Sequence, residues 1–403
     1  MSATPPIRTE TDWRAVIAAA LCGVAVAMNV GKVPIALPQL RAEYGLSLVA
    51  AGWVSSMINM LAMASGTFFG LMGDRVGPLR MCFTGLGLSI LGGMLGLLAG
   101  DERALLISRF AEGAGVMAVA VSAPALLSSA SAPIDRRFAL SIWSAYMPAG
   151  VGLVMLLAPA VVPLGGWRGI WLLTLVVLLL ASLAIHLSRS AYRLPPPREA
   201  EPHPLAAARE ALAQPAAWLL AFAMGSWTIQ HFALIVWLPT FLKEQRGFDA
   251  LTVSILSCVM VLVNVPGNLL GGRLLQRNFH RGSLIASASL ITGLCGAGVF
   301  LDILPDILRY GLCVALSFAG GLIPAAVLSA SANLARTPKQ IGTLQGLFMQ
   351  AGNLGSFVSP PLIALLVASS GLWRDALRVT AGAALLGIVF GLLLLRLERR
   401  ARH

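Results

Sequence analysis

Long apolar runs alternate with short polar segments along almost the whole chain. Each run holds about 20 residues or more, which is enough to cross the hydrocarbon core of a bilayer as an α-helix. The pattern predicts an all-α membrane protein with twelve transmembrane helices. The predicted spans are 14–37, 47–72, 80–99, 104–129, 138–163, 169–188, 215–242, 250–272, 282–303, 309–331, 342–366 and 374–396.

Composition favours the same class of protein. Of the 403 residues, 57% are hydrophobic and 11% are charged, whereas about 25% of a soluble domain is charged. The first run is too long for a cleaved signal, and Lys32 and Pro38 stand where a small-residue cleavage pattern would fall. We expect it to remain as a helix of a multi-pass protein of the cell membrane, in bacteria the inner membrane.

The basic residues are distributed unevenly between the predicted loops. If the N-terminus is cytoplasmic, inner segments carry 19 of the 29 Lys and Arg residues and outer segments carry 8. Such a bias follows the positive-inside rule and predicts that both termini are cytoplasmic. The net charge of +12 therefore reports topology, and we expect no nucleic-acid partner.

A polar, proline-rich segment interrupts the apolar pattern near the middle of the chain. It separates six predicted spans from six and ends in a short amphipathic stretch. The predicted divisions are an N-terminal six-helix bundle over 1–188, a cytoplasmic linker over 189–214 and a C-terminal six-helix bundle over 215–403.

The two halves also resemble each other at a nearly constant offset. Pro38 is matched by Pro239, and Gly150 by Gly352, at offsets of 201 and 202 residues. An ordered series of such matches indicates duplication. Parallel repeats of six helices, related by an axis along the membrane normal, occur in transporters, so we expect two pseudo-symmetric bundles.

One charged residue lies inside the first apolar run. An ionisable side chain at membrane depth usually faces a cavity or a partner, so Lys32 is a candidate functional residue. Asn29 lies three residues earlier and shares its helix face. The alternative is that the long Lys32 side chain extends to the outer interface.

Two motifs carry a resemblance to a known family. The loop after the second span reads Gly70-Leu-Met-Gly-Asp74-Arg75-Val-Gly77-Pro-Leu-Arg80, which resembles the loop signature of the major facilitator superfamily. Such a charge cluster can hold one conformation and release it in another, and a solvated turn is the alternative reading. Helix 4 reads Arg-Phe-Ala-Glu-Gly-Ala-Gly over 109–115, similar to the second motif of that family.

The helix-4 motif places opposite charges on one face. Arg109 and Glu112 are three residues apart and can pair. When such a pair separates, a buried carboxylate is more stable as the neutral acid. Glu112 is therefore a candidate proton carrier, and the alternative is a static salt bridge that aids folding.

The family resemblance implies a central cavity lined by helices 1, 4, 7 and 10. Both Lys32 and Arg109 lie about five residues from the predicted outer ends of their helices, roughly 8 Å deep. Two cations at one depth favour an anionic substrate. His231 can also take part in proton coupling or can simply be a hydrogen-bond partner between helices. The candidate substrate contacts are Asn29, Lys32, Arg109, Tyr146, Gln230, His231, Gln350 and Asn353.

These features together predict a secondary transporter that moves a small organic or inorganic anion by alternating access, with protons as coupling ion. A cation in helix 1 resembles the cyanate-permease-like branch of the family. A proton-driven exporter of drugs or metabolites is the alternative, and a membrane sensor or enzyme is another class. Because no metal-ligand, nucleophile or phosphate-loop motif is present, we expect no cofactor, no bound metal and no enzyme activity. We expect a monomer in the lipid bilayer.

Overall fold

The computed structural model describes residues 10–64, 76–192, 204–301, 304–336 and 338–400, and every regular element in these ranges is a helix. The first half contains α1 (Trp13–Tyr44), α2 (Leu48–Ser56), α3 (Pro78–Leu97), α4 (Glu102–Ala130), α5 (Arg136–Ser144) and α6 (Tyr146–Leu187). The second contains α7 (Pro204–Leu212), α8 (Pro215–Glu244), α9 (Ala250–Leu262), α10 (Asn264–Gln276), α11 (Arg281–Phe300), α12 (Asp306–Gly320), α13 (Leu322–Leu334), α14 (Pro338–Ser370) and α15 (Ala376–Arg400). Short 3₁₀ turns are Met57–Asn59, Arg189–Ala191 and Trp373–Asp375.

Ten helical stretches within these described ranges are long and apolar enough to cross a membrane. A shorter apolar stretch, Leu48–Ala64, adds to them. The longest element, α6, breaks inside at two glycines. Gly166 has φ 58° and ψ −150°, a conformation that a residue with a side chain rarely adopts. This break lies between the predicted spans 138–163 and 169–188, so it marks the turn that the hydrophobic pattern places there.

Helix α1 is longer than the sequence predicts. The prediction ended it near Leu37, before Pro38, but it continues to Tyr44 with two prolines inside. The corresponding α8 likewise continues past Pro239 to Glu244. Proline is tolerated in membrane helices because neighbouring groups satisfy the freed backbone carbonyl. The predicted helix ends were therefore wrong, and Lys32 lies 12 residues, about 18 Å, from the end of α1.

The ends of α1 and α8 have matching local structure. Gly45 has φ 61° and Gly247 has φ 66°, and both follow the helix directly or within three residues. Ser47 and Asp249 then cap α2 and α9 by accepting hydrogen bonds from backbone N–H groups. Both pairs are separated by 202 residues, the offset found in the sequence. Helix–turn–helix geometry thus repeats along with the sequence.

The chain forms two compact units. One contains residues 1–39 and 68–201. Within it, α3 packs closely along α4 because glycines leave no side chain between them. A Cβ added at Gly85 would lie 2.8 Å from the backbone oxygen of Gly115, and one at Gly92 would lie 2.7 Å from the backbone nitrogen of Glu112. This close approach brings the α3 backbone directly against the charged segment of α4.

The other unit contains residues 40–67 and 202–403. It includes α2, which packs on α14: the rings of Trp53 and Phe357 are 5.3 Å apart, and a Cβ at Gly52 would lie 2.8 Å from Cα of Pro361. The sequence-based division kept α2 with the first 188 residues. Compact packing within this unit includes it with the second half.

Candidate functional site

Three charged side chains form one buried cluster in the first unit. The ammonium of Lys32 in α1 lies 2.5 Å from Glu112 Oε1 in α4. Arg109 Nη1 pairs with the other oxygen of the same carboxylate, Glu112 Oε2. All three side chains are 0% exposed. A single carboxylate therefore bridges two cations from two helices.

Local helix geometry holds each charged group. Lys32 Nζ donates a hydrogen bond to Asn29 Oδ1 at 2.9 Å, as their spacing of three residues allows. Arg109 and Glu112 pair at the same spacing on α4. The ammonium of Lys32 is thus directed at Glu112 and Asn29. Its side chain does not extend to the membrane interface.

Glycines of α3 and an indole of α6 form the walls around the cluster. The ammonium of Lys32 lies 4.4 Å from the ring centroid of Trp171, a geometry in which the ring face attracts the cation. A Cβ at Gly96 would lie 2.4 Å from Trp171 Nε1 and 2.8 Å from Ser108 Oγ. Trp171 and Ser108 both occupy space that glycine leaves free.

The cluster has more positive charge and more donors than its carboxylate satisfies. With all three groups ionised the net charge is +1. Within the described part of the chain, Arg109 Nε and Nη2 make no hydrogen bond, and neither do Asn29 Nδ2 or Trp171 Nε1. Buried donors are nearly always paired in proteins, so such a group of them points to a ligand or solvent partner. This arrangement can accept a small anion.

Candidate residues of the second half lie in the other unit. His231 is half-buried, stacks on Trp227 with ring centroids 4.7 Å apart, and its Nε2 lies 3.1 Å from Ser317 Oγ. Gln230 and Asn353 donate to backbone carbonyls of their own helices. Gln350 is half-buried on α14. These contacts are those of interhelical and intrahelical partners.

The remaining candidates of the first half are spread over several positions. Tyr146 is half-buried and stacks on Trp143 at 4.1 Å. Gly77 has φ 91° and precedes α3, and Arg80 is exposed in the first turn of that helix. Gly70, Asp74 and Arg75 lie outside the described residues.

Sequence reasoning missed the walls of the cluster. Trp171 and Ser108 had no signal beyond their residue types in apolar helices. The glycines of α3, Gly92 and Gly96, had one: they recur at a spacing of four, which leaves one face of the helix free for close packing. Among the described residues, no three His, Cys, Asp or Glu side chains lie together as metal ligands.

The fold is that of a secondary transporter. The structure aligns with a bacterial homolog of the human lysosomal transporter Spinster, in an inward-facing and unoccupied conformation, with a TM-score of 0.80. The alignment covers 96% of this chain and 97% of that one at 17% identity. The Major Facilitator Superfamily profile matches residues 19–360, so the chain belongs to this superfamily. The resemblance drawn from the two motifs is confirmed.

Curated relatives are also transporters. The chain is 26% identical over 382 residues to the probable sulfoacetate transporter SauU of Cupriavidus necator, covering 88% of this chain and 87% of that protein. It is 25% identical to the putative niacin/nicotinamide transporter NiaP of Bacillus subtilis, covering 85% of each. It is 29% identical to the quinolone resistance protein NorB of Staphylococcus aureus over 137 residues, or 33% of this chain and 30% of NorB. Each of these proteins has its own substrate.

Proposed function

We propose that this transporter moves a small organic anion together with a proton, and that the buried cluster binds both. Lys32 and Arg109 hold the anion and Glu112 carries the proton. The observation that carries the proposal is that two fully buried cations share one carboxylate. In the resting arrangement Glu112 itself occupies the place that a substrate anion would take.

Charge conservation couples the two ligands. An ionised Glu112 between two cations gives a net charge of +1, and a neutral Glu112 with a bound anion gives the same net charge. A proton without an anion would leave two buried cations uncompensated, and a carboxylate displaced without a proton would be buried without its partners. Both intermediates are unfavourable in a low-dielectric interior. Each ligand therefore strengthens binding of the other, as reciprocal linkage requires.

The names of two relatives support an anionic substrate. Sulfoacetate carries a sulfonate and a carboxylate, and niacin is a carboxylic acid, so SauU and NiaP are named for small organic acids. Planar guanidinium groups bind carboxylate and sulfonate oxygens with two parallel hydrogen bonds. Arg109 has two such donors, Nε and Nη2, that no described residue uses.

Uptake into proteoliposomes tests this proposal. We use labelled sulfoacetate and nicotinate as probes, with and without an inward proton gradient. An acidic exterior should drive accumulation of at least one probe. Glu112→Gln should abolish gradient-driven accumulation but retain counterflow exchange, whereas Lys32→Ala should abolish both while membrane insertion is unchanged.

Matched controls lie on the same kind of helix surface without touching the cluster. Glu102→Gln removes an exposed carboxylate at the start of α4, and Lys243→Ala removes an exposed cation in the last turn of α8. Both should transport like the native protein. Native transport by Lys32→Ala, or unchanged proton coupling in Glu112→Gln, would overturn the assigned roles.

The similarity to NorB favours a second candidate, an exporter of acidic compounds. The same cluster would then bind its cargo from the cytoplasm. Transport measured in inside-out and right-side-out vesicles separates the two directions. An exporter accumulates the probe in inside-out vesicles when their interior is acidic.

We also propose a topology of twelve spans with cytoplasmic termini in a bacterial inner membrane. The ten long apolar stretches, Leu48–Ala64 and the second arm of α6 support this number. The uneven distribution of Lys and Arg supports the orientation. The six-plus-six division, the loop switch of Gly70, Asp74, Arg75, Gly77 and Arg80, and the monomeric state are parts of the same proposal. Alkaline phosphatase fused at the C-terminus should be inactive if that end is cytoplasmic.

A further inference from the structure

A second cavity lies wholly within the second unit, away from the charge cluster. It measures about 250 Å³ and is lined by α8, α9, α11, α12, α14 and α15. Four aromatic residues dominate its walls: Trp237, Phe241, Tyr310 and Trp373. An apolar cavity of about 150 Å³ accommodates a benzene ring, so this one is large enough for a longer ligand.

The polar groups of these walls are directed away from the cavity interior. Trp237 Nε1 donates to the carbonyl of Pro360 at 3.2 Å, and the Tyr310 hydroxyl donates to the carbonyl of Leu256 at 2.9 Å. Because their donors are satisfied by backbone, these residues present mainly ring carbons. The interior is therefore suited to hydrocarbon.

Charge is concentrated on one side of the cavity. The charged lining residues are Arg246, Asp306 and Arg309, and Asp306 Oδ1 lies 3.0 Å from Arg246 and 3.5 Å from Arg309. Asp306 and its neighbour Ile307, 77% exposed, place this side at the surface. Two guanidinium groups and one carboxylate leave a net charge of +1 at the opening.

The two arginines are held in place by the cavity wall. Their guanidinium carbons lie 5.3 Å and 5.6 Å from the ring centroid of Phe241, and Arg309 Nε donates to the carbonyl of Val299 at 2.8 Å. Phe241 in turn packs edge-on against Trp373 at 5.9 Å. The apolar wall and the positive opening are therefore one packed structure.

We propose that this cavity binds a hydrophobic monocarboxylate with a single medium-length chain. The carboxylate lies at Arg246 and Arg309, and the chain fills the aromatic interior. A volume of 250 Å³ corresponds to about eight groups of the size of a water molecule or a methylene. The site is separate from Lys32, Arg109 and Glu112 and does not depend on their roles in transport.

Quenching of tryptophan fluorescence by 8-bromooctanoate tests the site, with the full chain in phosphatidylcholine nanodiscs. Bromine quenches on contact, and Trp237 and Trp373 are both lining residues. Quenching should saturate and should fall when both are replaced by Phe. In competition, octanoate should displace the probe at concentrations at least tenfold below those of octanol or octylamine. From butanoate to octanoate, affinity should rise about threefold to fourfold for each methylene and then level off.

Two substitutions on one helix separate the cavity from the general membrane-facing surface. Leu256→Trp places an indole at the lining, whereas Leu262→Trp places one at an exposed position of α9 outside it. Leu256→Trp should abolish quenching although it adds a tryptophan, and Leu262→Trp should leave quenching unchanged. Ala233→Leu is a second, milder filling variant if Leu256→Trp does not fold.

Several results would overturn the proposal. Displacement by octylamine as effective as by octanoate would exclude a carboxylate site, and native quenching in both filling variants would exclude the cavity. Loss of quenching in phosphatidylglycerol nanodiscs would make an anionic phospholipid the occupant instead. Lys32→Ala should retain full quenching, so failure of the transport proposal is distinguishable from failure of this one.

Discussion

The ammonium of Lys32 lies 2.5 Å from Oε1 of Glu112, a residue 80 positions further along the chain, and neither side chain is exposed. Arg109 shares the same carboxylate. Glu112 is thus the single negative charge on which two buried cations depend. Its removal and the removal of either cation should have unequal consequences.

The stability of the cluster should depend on which charge is removed. Glu112→Gln leaves two buried cations without a counter-charge, and breaking a buried pair in this way costs about 3–5 kcal/mol. Lys32→Met leaves the neutral Arg109–Glu112 pair intact and should cost less. Urea or thermal unfolding of the purified variants measures both. The double variant should recover part of the loss caused by Glu112→Gln, and equal losses in the two single variants would contradict the shared-carboxylate arrangement.

The glycine face of α3 should be intolerant of even one methyl group. A Cβ at Gly92 would lie 2.7 Å from both the backbone nitrogen and Cγ of Glu112. Because backbone cannot give way cheaply, Gly92→Ala should destabilise the protein by about 1–3 kcal/mol and reduce transport. Gly87 on the same helix faces open space, so Gly87→Ala is the matched control and should gain up to about 1 kcal/mol from helix propensity. Similar effects at the two positions would argue against close packing of α3 on α4.

The position of His231 should depend on a glycine of α12. A Cβ at Gly320 would lie 1.8 Å from the ring of Trp227, on which His231 stacks. Gly320→Ala should therefore displace the indole and lower the thermal unfolding temperature. Gly311 on the same helix has no atom within 4 Å of an added Cβ, and Gly311→Ala should not lower that temperature. Near-ultraviolet circular dichroism should change only for Gly320→Ala, and an unchanged spectrum would mean that Trp227 does not fill this space.

The cap of α9 should contribute a pH-dependent part of stability. Hydrogen bonds from the Thr252 side chain and backbone hold the pKa of Asp249 below its ordinary value. A carboxyl with a lowered folded-state pKa stabilises the protein above its unfolded-state pKa, and this contribution is lost as the pH falls through the folded-state value. Asp249→Asn keeps a backbone acceptor but does not titrate. The stability advantage of the native protein over Asp249→Asn should shrink on acidification, and an advantage independent of pH would refute the assignment.

Much of the fold could be predicted because the determining signals are local. Apolar runs located the spans, and the turn inside α6 lies where the pattern separated 138–163 from 169–188. Helix ends were less predictable. Pro38 and Pro239 looked like terminators, yet both helices continue beyond them, because tertiary neighbours can satisfy the backbone groups that proline leaves free.

The sequence by itself determined the contacts that helix periodicity dictates. Asn29 with Lys32, and Arg109 with Glu112, are each three residues apart and pair as that spacing requires. Only the tertiary structure joined these two pairs through the bond from Lys32 to Glu112 and added Trp171 and Gly96 as walls. The reason is physical. Contacts within a helix follow from its fixed rise and rotation, whereas contacts between helices depend on their relative rotation and distance, which packing of the whole unit decides.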